Sequence, residues 1–285
     1  MKILVIGDFH GKFPEKLKRE VLKKEFDFIV GVGDYAGIDE WYSYIKYILG
    51  LKDKTKRKSA KEFFGKEKFR KLMKKDFKAG EQVLLFLDSL EKPGFFVFGN
   101  GDDEWYNYPF SKKILQSKKR NLNFLKKINN LQEMTYKVKN YKGISFLGFG
   151  GYMDAAANKS ARTKEWQTKV EVRNKKAKNK MNSLIKKVRS NSIFIFHYPP
   201  FGVFDKILDK KNPFYRGRTG VDFFRKVILK KKPLLVLCGH MHENYGRAKI
   251  GKTIVVNPGA AVEGKAAIIE IDEQKGKVKK IEFLK

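Results

Sequence analysis

The chain has 285 residues, 42% of them hydrophobic, with 24 Phe and 12 Tyr, a composition that can bury a sizeable core and excludes a disordered chain. Its formal net charge of +32 brings nucleic acid or another polyanion into consideration as a partner. Only 11 of the 63 basic residues are Arg, however, and the planar guanidinium is the group that specific phosphate and base readout favours. A lone cysteine, Cys238 in the run LLVLC, excludes an intrachain disulfide and reads as an inert core thiol. No apolar run approaches the roughly 20 residues of a membrane span. The opening MKILVIGDFHG lacks the apolar length and small-residue cleavage site of a signal peptide, so a cytoplasmic protein is expected.

In chain order, short runs rich in Val, Ile and Phe predict buried strands at Ile3–Ile6, Phe28–Val32, Phe95–Phe98, Ile144–Phe149, Ile193–Phe196 and Leu234–Leu237. Amphipathic, Lys-rich stretches between them predict helices over Glu15–Glu25, Lys61–Phe77, Glu81–Leu90 and Asp222–Lys230. Alternation of this kind predicts a layered α/β fold. After His242 the pattern changes to strands at Tyr245–Ile250, Thr253–Val256, Ala266–Ile271 and Lys277–Phe283, expected to form a second, antiparallel sheet portion. Three charge-dense segments, Lys52–Lys78, Lys112–Lys127 and Lys159–Arg189, are expected to be surface helices. The first carries Phe63, Phe64, Phe69, Leu72, Met73 and Phe77 close to helical spacing, which would pack it on the body. No repeat and no Pro/Gly/Ser linker marks a boundary. A single domain over 1–285 is therefore expected, with basic helical insertions around 52–80, 104–130 and 155–190.

Polar residues follow five of the six strands of the first set: Asp8 and His10, then Asp34, Asn100, His197, and His240 with His242. In an open α/β sheet the ligand site collects at the carboxyl ends of the strands. All four histidines of the chain belong to this set, and imidazole with carboxylate and amide oxygens suits Mn, Fe, Zn or Ni. If these segments are extended, residues two apart point the same way, so Asp8 with His10 and His240 with His242 would each face one pocket. Flanking Gly7, Gly33, Gly99 and Gly239 would allow sharp exits and close approach.

These blocks, DxH, GD, GN, a lone His and GHxH, resemble in kind and order the signature of the calcineurin-like metallophosphoesterases. The resemblance runs from residue 2 to about residue 270 and includes HisTyrProPro after His197 and ThrIleValValAsnProGlyAla near the end. It is nearest to the Icc-related phosphoesterases of archaea and bacteria. The fold it implies is a four-layer αββα sandwich of two mixed β-sheets flanked by helices. It implies two divalent transition-metal ions, Mn2+ first, with Asp8, His10, Asp34 and His242 on one and Asp34, Asn100, His197 and His240 on the other. Asp34 would bridge them. The implied activity is phosphoesterase, and phosphodiesterase in particular: a hydroxide held between the cations attacks in line while they clamp the phosphoryl oxygens, with Asp34, Asn100, His197 and His240 at the reaction centre.

One departure stands out. The family's third block usually places a His after the Asn, a leaving-group acid, and here that position is Gly101. Asp102, which would orient such a His, is left with nothing to orient. Asp103 and Arg162 are candidates to replace the missing contact. Trp105, Arg216 and Arg218, in loops expected at the mouth, are candidates to bind substrate by stacking or phosphate pairing. The expected partner is a small phosphate ester. Two alternatives are a nucleic-acid-processing phosphodiesterase, favoured by the charge, and a noncatalytic scaffold of the same fold. Oligomeric state is left open.

Overall fold

Runs of branched and aromatic side chains become strands here because they are covered on both faces. The structure, a computed structural model, describes residues 1–53, 56–102, 124–151, 164–210, 212 and 215–285. In chain order its elements are β1 (Lys2–Ile6), α1 (Glu15–Lys23), β2 (Phe28–Gly31), α2 (Tyr42–Gly50), α3 (Ala60–Phe64), α4 (Lys66–Asp88), β3 (Gly94–Phe96), β4 (Leu131–Glu133), β5 (Lys137–Tyr141) and β6 (Ile144–Phe149). They continue with α5 (Lys164–Ile185), β7 (Ser192–Phe196), α6 (Asp222–Lys231), β8 (Leu235–Leu237), β9 (Gly246–Ile250), β10 (Thr253–Asn257), β11 (Ala266–Asp272) and β12 (Lys277–Leu284).

These strands form two six-stranded mixed sheets, ordered β12-β11-β1-β2-β3-β4 and β5-β6-β7-β8-β10-β9. In the first, β1 to β4 run parallel and β11 pairs antiparallel to β1. In the second, β6, β7, β8 and β10 are parallel, with antiparallel β5 and β9 at the edges. Three apolar layers result. Ile3, Val5, Val30 and Val97 from one sheet meet Phe146, Ile195 and Leu237 from the other in the central layer. Leu17 and Val21 of α1 and Val83, Leu84 and Leu87 of α4 cover the outer face of the first sheet. Met181 and Leu184 of α5 and Phe224 and Ile228 of α6 cover the second. This is the expected αββα layering.

Several expectations are corrected. The last four strands do not make a separate antiparallel sheet: β9 and β10 extend the second sheet, and β11 and β12 extend the first. The helices predicted over Lys61–Phe77 and Glu81–Leu90 are instead α3 and the 23-residue α4. Its apolar stripe runs on from Phe69, Leu72 and Met73 to Val83, Leu84 and Leu87, so Gly80 is buried without interrupting it. The break falls earlier, at Gly65, in a left-handed conformation with φ 78°. Strands β4 and β5 and helix α2 had no sequence signal: the strands are short and largely polar, and each has exposed positions. Of the three predicted insertions, the first is α3 and α4 and the third is represented by α5. Most of the second lies outside the described residues.

The Phe146 ring is fully buried, with Phe28 and Phe95 ring centroids at 5.4 and 5.1 Å. Phe146→Ala is expected to lower stability by about 3–5 kcal/mol, the usual cost of a Phe-sized cavity. Urea unfolding of the variant should show a lower midpoint with an unchanged slope.

Candidate metal centre

Strand ends β1, β2, β3, β7 and β8 open on one edge of the sandwich, and there the chain turns sharply. Asp8, His10, Asp34 and His240 all have positive φ, at 54°, 49°, 54° and 71°. The extended i, i+2 geometry expected for Asp8 with His10 and for His240 with His242 is therefore not what brings these side chains together. Left-handed turns do so, a strained conformation for non-glycine residues that is held where the surroundings dictate it. Close packing does dictate it. A Cβ on Gly99 would lie 2.1 Å from Asp34 Oδ1, and one on Gly239 would lie 2.5 Å from Asp8 Oδ2, so each glycine leaves room for a carboxylate.

Two clusters result, Asp8 with His10 and His242, and Asp34 with His197 and His240, each with its ligand atoms within 4.8 Å of one another. Asp34 faces both: Oδ1 is 3.5 Å from His197 Nε2 and Oδ2 is 3.9 Å from His10 Nε2. Asn100 Oδ1 lies 2.9 Å from His197 Nε2. His197 donates from Nδ1 to the Val32 carbonyl at 2.9 Å, and His10 donates from Nδ1 to the Gly37 carbonyl at 3.1 Å. Since a carbonyl only accepts, those bonds commit the one hydrogen of each neutral ring and turn the Nε2 lone pair inward. His10 Nε2 then faces His242 Nε2 at 3.0 Å, and His197 Nε2 faces an amide oxygen. A cation bound by both members of each pair satisfies these lone pairs, so the donor set fits divalent metal ions.

Electrostatics favour the same occupant. Burial drives His240 down to about 3 and His242 down to about 4 from an ordinary 6.5, which keeps both rings neutral and able to ligate at neutral pH. Burial followed by the charge of Asp34 raises Asp8 well above the carboxylate range. Burial also pushes Asp34 up, but the imidazoles of His197, His10 and His240 outweigh it and hold Asp34 below its ordinary value. Neighbouring carboxylates without a cation resist joint ionisation.

Further residues hold the centre, and sequence reasoning missed their roles. Asp102 is not idle: its oxygens accept from Ala36 N at 2.9 Å and Gly99 N at 2.8 Å, tying the β2 exit to the β3 exit. Asp76 of α4 accepts from Gly37 N, Ile38 N and Trp41 Nε1 at 2.7, 2.9 and 3.0 Å, fixing the loop whose carbonyl orients His10. Tyr198, from the HisTyrProPro run, lies on the His240 ring with centroids 4.0 Å apart. Tyr198, beside a predicted ligand, and Asp102, two residues after another, had a local signal; Asp76 had none.

The substrate-binding candidates fare differently. Arg218 donates to the buried carboxylate of Asp205 at 2.6 Å, and Asp205 also accepts from Gly202 N, so Arg218 closes its own loop. Exposed Arg216 lies over the adjoining Tyr215 ring. Neither lines the cavity beside the two clusters. Asp103, Trp105 and Arg162 lie outside the described residues. Cys238 is buried and its thiol is pushed far up by burial, consistent with a core role. Among the described residues no helix is long and apolar enough to cross a membrane.

Comparison with known families agrees with this geometry. The family described as metallophosphoesterase, calcineurin superfamily, matches residues 1–281. The chain belongs to this superfamily. An uncharacterized protein of Methanocaldococcus jannaschii, MJ1162, is 32% identical to this metallophosphoesterase over 124 residues, 43% of this chain and 51% of that protein. The chain thus spans about half the length of that curated relative. TT1561 of Thermus thermophilus superposes with a TM-score of 0.51 at 16% identity, covering 98% of this chain and 96% of that one. Another crystal structure reaches 0.61 at 19% identity, covering 99% and 98%. Likeness at these identities is one of fold. Family membership places the chain among the metallophosphoesterases, and its His and Asp clusters suit divalent ions.

Two measurements check this account of the metallophosphoesterase centre. Asp76→Ala leaves one buried and two part-buried donors unpaired, the buried one at about 1–3 kcal/mol when uncompensated. It should also weaken binding of the cation at the Asp8, His10 and His242 cluster by about 10- to 100-fold, the usual cost of losing a group that orients a ligand, as read by calorimetric metal titration. The second concerns pH. In chelator, His240 and His242 with lowered folded values make the unfolded chain the first to take up protons, so stability is greatest above pH 6.5 and is lost as pH falls toward 4. Asp8, raised, acts in the opposite sense, so the expected readout is a difference: the melting temperature of His242→Asn should fall less over this window than that of the parent.

Proposed function

We propose that this metallophosphoesterase is a two-metal phosphodiesterase, with Asp8, His10, Asp34 and His242 around one cation and Asp34, Asn100, His197 and His240 around the other. The observation that carries the reading is the orientation of Asp34, one carboxylate oxygen toward His197 and the other toward His10 at 3.5 and 3.9 Å, as a bridging ligand requires. Two bound cations supply Lewis acidity at the phosphoryl oxygens and a water acidic enough to attack at neutral pH. Mn2+ is the first metal to test, because four imidazoles with carboxylate and amide oxygens make a mixed, borderline donor set.

The chain's own residues set the geometry and the substrate preference. Gly101 donates its N–H to Asp34 Oδ1 at 2.6 Å, holding the shared carboxylate in register. A side chain at this position would crowd it: a Cβ would stand 3.0 Å from the Ala36 carbonyl and 3.1 Å from Asp34 Oδ1. The centre thus has Gly where the resembling enzymes have an imidazole acid. Loss of a general acid costs about 10²- to 10⁴-fold where the leaving group needs a proton. Esters with acidic leaving groups, and diesters whose departing group is already stabilised, escape most of that cost.

The decisive assay is Mn2+-dependent hydrolysis of bis(p-nitrophenyl) phosphate beside p-nitrophenyl phosphate, with Asp34→Ala and His240→Ala as controls. Cleavage of the diester at the higher kcat/KM, with both variants at background, is the expected result. Two bound ions per chain with neither ester cleaved would remove the phosphodiesterase reading, and a protein that binds no divalent metal would favour the scaffold.

A further inference from the structure

Beside the Asp8, His10 and His242 cluster lies a cavity of about 690 Å³, within the size range of a site that encloses a small organic molecule. One end is formed by His10, Asn100 and Gly101, and the far wall by Trp41, Tyr44 and the segment Arg57–Ser59. Apart from the Trp41 indole, which shares Asp76 with the Gly37 loop, the far wall is built from parts with no role in the metal centre. Tyr44 donates its hydroxyl to the Lys58 carbonyl at 3.0 Å, and Tyr47 Oη accepts from Lys58 N at 3.0 Å while donating to the Lys56 carbonyl at 3.2 Å. Tyr44 and Tyr47 pack on Phe63 with ring centroids at 5.5 and 4.9 Å. Ser59 caps α3 with a reciprocal bond to Glu62. The indole of Trp41 is pinned by Asp76 at 3.0 Å and by the edges of Phe64 and Phe69.

This wall therefore presents aromatic surface in a fixed orientation, followed by two cations. Neither Arg57 nor Lys58 makes an ion pair among the described residues. The one carboxylate lining the cavity near them, Glu62, is engaged by the Ser59 N–H and hydroxyl. Aromatic walls stabilise a flat ring by stacking, and a guanidinium beside an ammonium suits a phosphate or carboxylate.

We propose that this cavity binds the organic portion of a nucleotide-like ester, with the heterocycle against Trp41 and Tyr44 and a second anionic group, beyond the scissile phosphate, received by Arg57 and Lys58. The assignment rests on the phosphodiesterase reading for where the scissile phosphate sits, and it makes Trp41, Tyr44, Arg57 and Lys58 the determinants of substrate choice. Adenosine carries the ring alone and ADP carries the ring with two phosphates, so the pair separates the two halves of the cavity.

The test is calorimetric binding of adenosine and ADP to the Mn2+-loaded protein and to an Arg57→Ala/Lys58→Ala variant, with hydrolysis of bis(p-nitrophenyl) phosphate followed on both. ADP should bind the parent more tightly than adenosine does. The variant should lose about 10- to 100-fold in ADP affinity, the size expected for two charge-assisted contacts, with adenosine affinity changed less than about twofold. Tyr44→Leu should weaken both ligands together, with the melting temperature confirming that the fold is kept. Undiminished ADP binding by the double variant, while the parent cleaves the diester, would overturn the proposal and leave the phosphodiesterase standing. Selective loss of ADP binding in a protein that cleaves no ester would do the reverse. Equal losses for adenosine and ADP in the double variant would mean damage to the wall instead of loss of anion contacts, and would also overturn it.

Discussion

A carboxylate taken out of water must be compensated, and in this chain that constraint organises both the fold and the centre. Six aspartates are buried among the described residues, Asp8, Asp34, Asp76, Asp88, Asp102 and Asp205, and no Lys, Arg or Glu is buried with them. Four are compensated by the protein itself. Asp88 accepts from Asn129, Asn130 and Leu131 N–H groups, Asp76 from two N–H groups and an indole, Asp102 from two N–H groups, and Asp205 from an N–H and Arg218. The first three tie loops to the sandwich, and Asp205 closes the loop it shares with Arg218. Asp8 and Asp34 are different. Among the described residues Asp8 accepts only the His240 N–H and Asp34 only the Gly101 N–H, with imidazoles around them. Their remaining lone pairs point into the clusters, where divalent cations complete the compensation.

The supports form a layered arrangement. Asp76 reaches from a helix on the outer face to the Gly37 loop, that loop orients His10, and His10 faces the first cluster. Asp102 links the exits of two neighbouring strands, and Gly99, one of the groups it holds, is where the shared Asp34 needs backbone without a side chain. Tyr198 backs His240. The left-handed turns at Asp8, His10, Asp34 and His240 cost free energy that the sandwich below them offsets, with three apolar layers fixing where each strand ends.

Much of this was legible in the sequence. The strand ends carrying Asp8, His10, Asp34, Asn100, His197, His240 and His242 stood out because a buried parallel strand is an unbroken apolar run, and a polar residue straight after it is conspicuous. The two-sheet layering followed from the family resemblance, since periodicity alone could not say which sheet takes which late strand. What could not be read has a common cause. Strands β4 and β5 have little apolar pattern because they lie at sheet edges, where partners and not composition decide the pairing. The turns at Asp8 and His10 are held by residues distant in sequence, the Asp8 N–H donating to the Gly33 carbonyl and the His10 N–H to the Asp34 carbonyl. Asp76 sits in a Lys-rich helix and resembles any solvated acid until α4 docks against the Gly37 loop.

The charge of +32 also takes on a clearer meaning. With aspartates spent in the interior and lysines left outside, the molecule is negative where cations belong and positive where an anionic ester approaches. A surface field of that kind raises the encounter rate of any polyanion, but at physiological ionic strength it is screened within about 8 Å and does not distinguish a nucleic acid from a nucleotide. Discrimination has to come from groups that enclose the ligand. Here those are Trp41, Tyr44, Arg57 and Lys58, which belong to none of the metal-binding motifs. The chemistry of the centre and the choice of substrate therefore sit largely on separate parts of the chain: the loops at the strand ends are constrained by buried charge, whereas in the wall Trp41 bonds the buried carboxylate of Asp76 and Tyr44, Arg57 and Lys58 can change without disturbing it.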